Sequence, residues 1–269
     1  MATVALTIAG SDPSGGAGMQ ADLKTFHQFG VYGEAVLTLV TVQNTQRVSR
    51  VEPMPADLVV EQIKAVLEDI PPKAAKTGAL GTAETVAAVA ELARNFGFPL
   101  VVDPVMVSKH GSRLLPEKAE EVLKDKLLPH AFLVTPNIPE AEALAGMKIQ
   151  TEEDMRKAGD RILEFGCQSV LVKGGHLPGE PVDILRSATG SLGNESRYPG
   201  KRVPTRHTHG TGCTHSAAIT AALALGNTLP EAILLSREYV QRAIETAPEL
   251  GNGMGPVNHF AELTLGQRR

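Results

Sequence analysis

Val4-Ala5-Leu6-Thr7-Ile8-Ala9-Gly10-Ser11-Asp12-Pro13-Ser14-Gly15-Gly16-Ala17-Gly18-Met19 passes from an apolar run through a glycine-rich loop into a pattern of helical period. One strand hands over to one helix, and the handover recurs. Strands are expected at 4–8, 35–42, 74–76, 100–102, 132–134 and 170–173, and helices at 19–29, 56–69, 82–96 and 116–126. Thr151-Glu152-Glu153-Asp154 has the form of a capping box and opens a further helix to 165. Strands alternating with helices predict an α/β fold in which a parallel sheet is wrapped by helices on both faces. Residues 177–209, with four prolines and four glycines, read as short strands and turns forming an edge hairpin. Helix returns at 214–225 and, with Pro230 in its first turn, from 230 to about 247. No linker, repeat or low-complexity tract divides the chain, so residues 1–269 are expected to form one domain.

Composition narrows the class. The 269 residues are 42% hydrophobic and 21% charged, ordinary for a globular protein and enough for a large core. A net charge of -4 offers no reason to expect nucleic acid or an anionic membrane as partner. The two cysteines, Cys167 and Cys213, make neither a disulfide framework nor a zinc site, which fits a reducing compartment. No basic leader with an apolar core opens the chain and no apolar run reaches about 18 residues, so a cytoplasmic protein is expected.

The turn with the most chemistry is Thr208-His209-Gly210-Thr211-Gly212-Cys213-Thr214. Its two glycines let the backbone approach a bound group, and a helix opening beside them would aim N–H donors at an anion such as phosphate. A thiol at a helix start should also fall below its reference pKa of about 8.5, making Cys213 a thiolate near neutral pH. Alone, the pattern reads equally as a plain turn beside a buried, inert cysteine.

Other segments weigh on that choice, because ligands of open parallel sheets gather beyond the carboxyl ends of the strands. There the chain places its glycine-rich first loop, then Gln43-Asn44-Thr45, Lys76-Thr77-Gly78, Asp103-Pro104-Val105-Met106, Thr135-Pro136-Asn137-Ile138-Pro139-Glu140 and Lys173-Gly174-Gly175-His176. Such a rim suits phosphoryl transfer, which depends on positioning and on neutralising charge. Asp103, Asn137 and Glu140 are hard oxygen donors suited to magnesium, and Lys173 is a point charge for phosphate. Singly, Asp103 reads as a turn residue and Asn137 with Glu140 as a helix cap; their joint placement favours a site.

Together with Gly255-Pro256-Val257-Asn258-His259-Phe260, these motifs resemble, over nearly the whole chain, the hydroxymethylpyrimidine/phosphomethylpyrimidine kinase family of thiamine biosynthesis. The resemblance implies a ribokinase-like, three-layer α/β/α sandwich with a mainly parallel sheet. It implies that Cys213 takes or polarises the proton of the substrate alcohol as it attacks the γ-phosphate of ATP, with Gly210 and Gly212 lending N–H groups to the developing charge. Lys173 and Thr208 would contact the triphosphate, Asn137 and Glu140 would form the magnesium motif, and Asp103 would add a contact through water. Gly10, Ala17, Asp22 and Gln43 would border the pyrimidine, Gln43 pairing an amide edge with the ring nitrogen and amino group. The first loop would act as a flap, the substrates would be the alcohol and its monophosphate, and the assembly a homodimer. Ala79 departs from the methionine that many members carry there.

Three other readings are compatible with these residues: a pyridoxine or pyridoxal kinase, a nucleotide-binding regulator without turnover, and a cysteine hydrolase with His209 or His215 as base. Gln43 favours the pyrimidine. His27, His130 and His259 have no ligand spacing and no assigned role.

Overall fold

The computed structural model describes residues 2–107, 111, 113–188 and 195–263. Among them, nine strands make one sheet: β1 (Val4–Ser11), β2 (Tyr32–Gln43), β3 (Val48–Pro53), β4 (Ala74–Thr77), β5 (Leu100–Val102), β6 (Leu133–Val134), β7 (Ser169–Lys173), β8 (Val182–Ser187) and β9 (Glu195–Pro199). Their order is β3-β2-β1-β4-β5-β6-β7-β8-β9. The run from β2 to β7 is parallel, while β3 at one margin and β8 and β9 at the other are antiparallel.

The helices are α1 (Gly18–Gln28), α2 (Ala56–Asp69), α3 (Ala83–Ala93), α4 (Glu117–Val122), α5 (Ile138–Ala145), α6 (Glu152–Leu163), α7 (Thr211–Ala224) and α8 (Leu229–Glu245). Strand side chains alternate between faces, so Leu100 and Val102 pack toward α2–α6 while Val101 packs toward α7 and α8. Phe26 of α1 joins Ala217 and Ala221 of α7 on the second face. The result is the expected three-layer α/β/α sandwich. α7 buries mostly small side chains, with Ile219 the bulky one that packs on the sheet, and this lets a helix buried along nearly its whole length sit close beneath α1 and α8.

Local signals set the helix starts. Thr151 and Asp154 cap α6 reciprocally as the sequence predicted, and Thr228 with Glu231 does the same for α8. α7 begins at Thr211, three residues before the expected start, because Gly210 adopts φ +80° and serves as its N-cap. The helix expected over 116–126 turns π-helical at Leu123–Leu127. β3 was not expected, since its alternation is weak: its residues are half-buried or exposed and it is held by pairing with β2. β8 and β9 form the expected edge hairpin, whose connection, residues 189–194, lies outside the described residues. The loops following β1, β2, β4, β5, β6 and β7 open on one rim beside the start of α7.

Candidate active site

The start of α7 and the first loop are in backbone contact. A Cβ on Gly210 would lie 1.7 Å from the carbonyl oxygen of Gly16, so no other residue fits this turn. A Cβ on Gly212 would meet only Nζ of Lys173, at 3.5 Å, which puts the phosphate-seeking lysine directly over the turn. Cys213 follows as the third residue of α7, half-buried, with the N–H of Gly18 at the start of α1 directed at its sulfur.

The expected thiolate is corrected here. Burial pushes the Cys213 thiol up to about 12; Lys76 and the Gly18 N–H pull it down, and Asp22 and Asp103 push it further up. Loss of water around the sulfur outweighs the helix start, and the resting side chain at neutral pH is a thiol. That state also removes the nucleophile a cysteine hydrolase needs. Of its candidate bases, His209 turns Nε2 to Asp12, and burial lowers His215 to about 4.

Beneath the thiol lies a charged floor. Lys76 of β4 and Asp22 of α1 are both fully buried and paired at 2.7 Å, with the Thr7 hydroxyl donating to the other carboxylate oxygen at 2.6 Å. Burial alone would lower Lys76, but Asp22, Cys213 and Asp103 hold it above the ordinary lysine range. Burial raises Asp22 against the opposing pull of Lys76 and Thr7; with a charged lysine in hydrogen-bond contact, the pair is ionic. Asp22 was expected to touch substrate. Its carboxylate is instead enclosed, because a lysine inside a central strand must have a counter-ion.

Asp103 serves Lys173 in a similar way. Nζ of Lys173 donates to its Oδ1 at 3.1 Å, joined there by the Thr135 hydroxyl at 3.3 Å, while Ser216 of α7 donates to Oδ2 at 3.0 Å. Burial opposes both charges, yet each partner stabilises the other: Asp103 sits below the usual carboxylate range and Lys173 above the usual lysine range. Both oxygens are engaged by protein donors, so Asp103 acts as the counter-ion of Lys173 rather than as an open metal ligand. Asn137 and Glu140 realise their cap reading, each accepting the other's backbone N–H at 2.9 Å. Burial pushes Glu140 up to about 7 despite the nearby charge of Lys173. A buried carboxyl poised at that value fits a neighbouring hard cation, which would favour its ionised form. Among the described residues, no three His, Cys, Asp or Glu side chains gather into a metal cage.

The remaining expected residues line the mouth. Gly10 is buried against Leu39, and Ala17 precedes α1 with its N–H donated to Asp12 at 2.9 Å. Gln43, at the end of β2, is half-buried and faces His209, while Thr208 leads into the turn with its carbonyl accepting from Thr211. Of the residues that hold the site together, the sequence reading gave Ser216 and Asp12 no individual role, placed Lys76 only among the strand-end residues and weighed His209 only as a hydrolase base. Lys76 did carry a signal, a charge within the otherwise uncharged strand Ala74–Thr77. A further support is Asp183 of β8, which accepts the Gly174 N–H beside Lys173 and pairs with Arg237 of α8.

The family model described as Phosphomethylpyrimidine kinase matches residues 12–258. The chain belongs to that family. A solved phosphomethylpyrimidine kinase from Clostridium difficile 630 is 46% identical, superposes with a TM-score of 0.79, and is matched over 90% of this chain and 99% of that one. The pyridoxal kinase of Staphylococcus aureus, solved with AMP-PCP and pyridoxal, is 37% identical with a TM-score of 0.88, over 97% of this chain and 94% of that one. The thiamine biosynthesis bifunctional protein ThiED of Geobacter sulfurreducens is 49% identical over 95% of this chain, which spans only 52% of that protein's length. The three layers described above are therefore those of a ribokinase-like kinase.

Proposed function

We propose that this kinase transfers the γ-phosphate of ATP to 4-amino-5-hydroxymethyl-2-methylpyrimidine and then to the resulting monophosphate, in thiamine biosynthesis. One observation carries the reading: Lys173 lies over the Gly210–Cys213 turn, so the phosphate charge and the thiol meet at one rim. Phosphoryl transfer asks the protein chiefly for positioning and charge stabilisation. Lys173 and Thr208 hold the triphosphate, and the N–H groups of Gly210, Gly212 and Cys213 at the start of α7 face the transferred group, that of Thr211 being turned back to the Thr208 carbonyl. Cys213 works from its thiol form, orienting and polarising the alcohol; in a loose transition state the alcohol proton leaves late, to an oxygen of the transferred phosphoryl group, and a resting thiolate is not required. Gln43 reads the ring, with Gly10 and Ala17 at its border, and Asp22 supports them from below.

Glu140 and Asn137 would hold magnesium mainly through its waters, with Asp103 behind them, the rest of its sphere coming from phosphate oxygens. The ion supplies charge neutralisation on those oxygens when bound. One domain, a cytoplasmic setting and a homodimer joined through sheet edges or flanking helices complete the proposal. No helix among the described residues is long and apolar enough to cross a membrane.

The test is a panel of the pyrimidine alcohol, its monophosphate, pyridoxine and pyridoxal with Mg-ATP, each followed by phosphorylated product. Turnover of the first two carries the proposal. The likeness to the Staphylococcus aureus pyridoxal kinase supports a second reading, a vitamin B6 kinase, and turnover of the last two alone selects it. Gln43→Met should move the preference toward the pyridine alcohols; an unmoved ratio of kcat/KM would remove Gln43 from ring recognition.

A further inference from the structure

Four side chains from three segments meet at the mouth: Asp12 of the first loop, Thr41 and Gln43 of β2, and His209 of the turn before α7. Asp12 anchors its loop by accepting from Ser14 N–H at 2.9 Å, the Ser14 hydroxyl at 2.7 Å and Ala17 N–H at 2.9 Å. Its Oδ2 also lies 2.8 Å from Nε2 of His209, and both side chains are almost fully buried. Burial would raise Asp12, but His209 and Ser14 hold it below the usual carboxylate range, so the carboxylate is ionised and only accepts. Nε2 of His209 must therefore carry the hydrogen.

That requirement passes to Gln43. As placed, its amide nitrogen lies 3.3 Å from Nε2 of His209 and its oxygen 3.2 Å from the Thr41 hydroxyl. Two N–H groups would then face each other. The Thr41 hydroxyl, meanwhile, gives its hydrogen to the carbonyl of Ser11 at 2.9 Å and presents lone pairs to the amide. Turning the amide over resolves both conflicts: its oxygen shares the one Nε2 hydrogen of His209 with Asp12 in a three-centre bond, and its nitrogen donates to the Thr41 oxygen.

We infer that His209, oriented by Asp12, and Thr41 are specificity-determining residues that fix the polarity of the Gln43 amide and so the order of donor and acceptor it offers to the substrate ring. The inference rests on the proposed function. An aminopyrimidine presents an amino donor beside a ring-nitrogen acceptor in an invariant order, so an amide of the opposite polarity mismatches it. A pyridine alcohol such as pyridoxine has a rotatable ring hydroxyl that gives or takes a hydrogen bond, and tolerates either polarity. A locked Gln43 thus favours the aminopyrimidine without touching the reacting atoms.

The experiment measures kcat/KM for 4-amino-5-hydroxymethyl-2-methylpyrimidine and for pyridoxine in wild type, Thr41→Val and His209→Asn, with histidine ring-nitrogen NMR on the wild type. Thr41→Val serves as the second variant should His209→Asn fold poorly. The expected result is an Nε2–H tautomer for His209 and a pyrimidine-to-pyridoxine ratio falling about fivefold or more in each folded variant, as for one lost hydrogen bond. An Nδ1–H tautomer, or a smaller fall in either folded variant, overturns the inference. Wild type inactive toward both alcohols overturns the proposed function instead, and the tautomer measurement then still decides whether the amide is locked.

Discussion

At the scale of single residues, the chemistry turns on how burial acts on charge. Cys213 should alkylate slowly with iodoacetamide at pH 7.5, its rate rising about tenfold per pH unit up to pH 9, as expected for a thiol pushed up to about 12. A plateau below pH 8 would mean that the sulfur is already ionised. Cys213→Ala should lower kcat on the order of 10²-fold, measured with saturating Mg-ATP and alcohol. The Lys76–Asp22 pair gives a second test. Lys76→Met leaves a fully buried carboxylate without its partner and should cost about 3–5 kcal/mol, read from urea unfolding. Adding Asp22→Asn should recover part of the loss; a single variant as stable as wild type would contradict a buried ionic pair.

At the scale of elements, the starts of α1 and α7 determine what the turn can do. Gly210→Ala puts a methyl group onto the Gly16 carbonyl at a positive-φ position, and both stability and turnover should collapse together. Gly212→Ala meets only the end of a lysine, so melting temperature should hold while KM for ATP rises; equal effects from the two variants would show that the turn acts only as scaffold. Asp183→Ala, freeing the Gly174 N–H beside Lys173, should raise KM for ATP more than it lowers kcat, and Asp183→Asn should restore part of that effect.

Much at this scale was readable in the chain. Period and capping chemistry identify β1, the helices after it, the box at Thr151 and, through Pro230, the start of α8, because those signals are local. The strand-end residues also came to one rim as expected. β3 escaped notice because an edge strand held by its neighbour needs no apolar face. The acidity of Cys213 and the work of Asp22 and Asp103 were misread for another reason. Each depends on charges brought in by β4, β7 or α7 from far along the chain, and sequence spacing carries no measure of desolvation.

For the molecule as a whole, buried ionisable groups shape stability against pH. Burial raises Glu140 and Glu34 to about 7, so their contribution to stability is full below the unfolded carboxylate range of about 4.3 and fades as pH rises through 7. Burial lowers His215 and His259 to about 4, so theirs is full above about 6.5 and fades as pH falls through 4. The two trends oppose each other over the same window. The melting temperature should be nearly level from pH 5 to 6.5, and Glu140→Gln, which keeps an oxygen to accept the Asn137 N–H, should convert the level stretch into a rise of a few degrees. A variant curve parallel to that of wild type would deny Glu140 its elevated value.

The interlocked charges under the thiol also bear on ancestry. Losing either the lysine or the aspartate alone strands its mate in a dry interior, so a lineage can leave this arrangement only through a weakened intermediate or two changes at once. Drift can rework the outer faces of the sandwich freely while the cationic strand and its anionic helix are inherited as one unit.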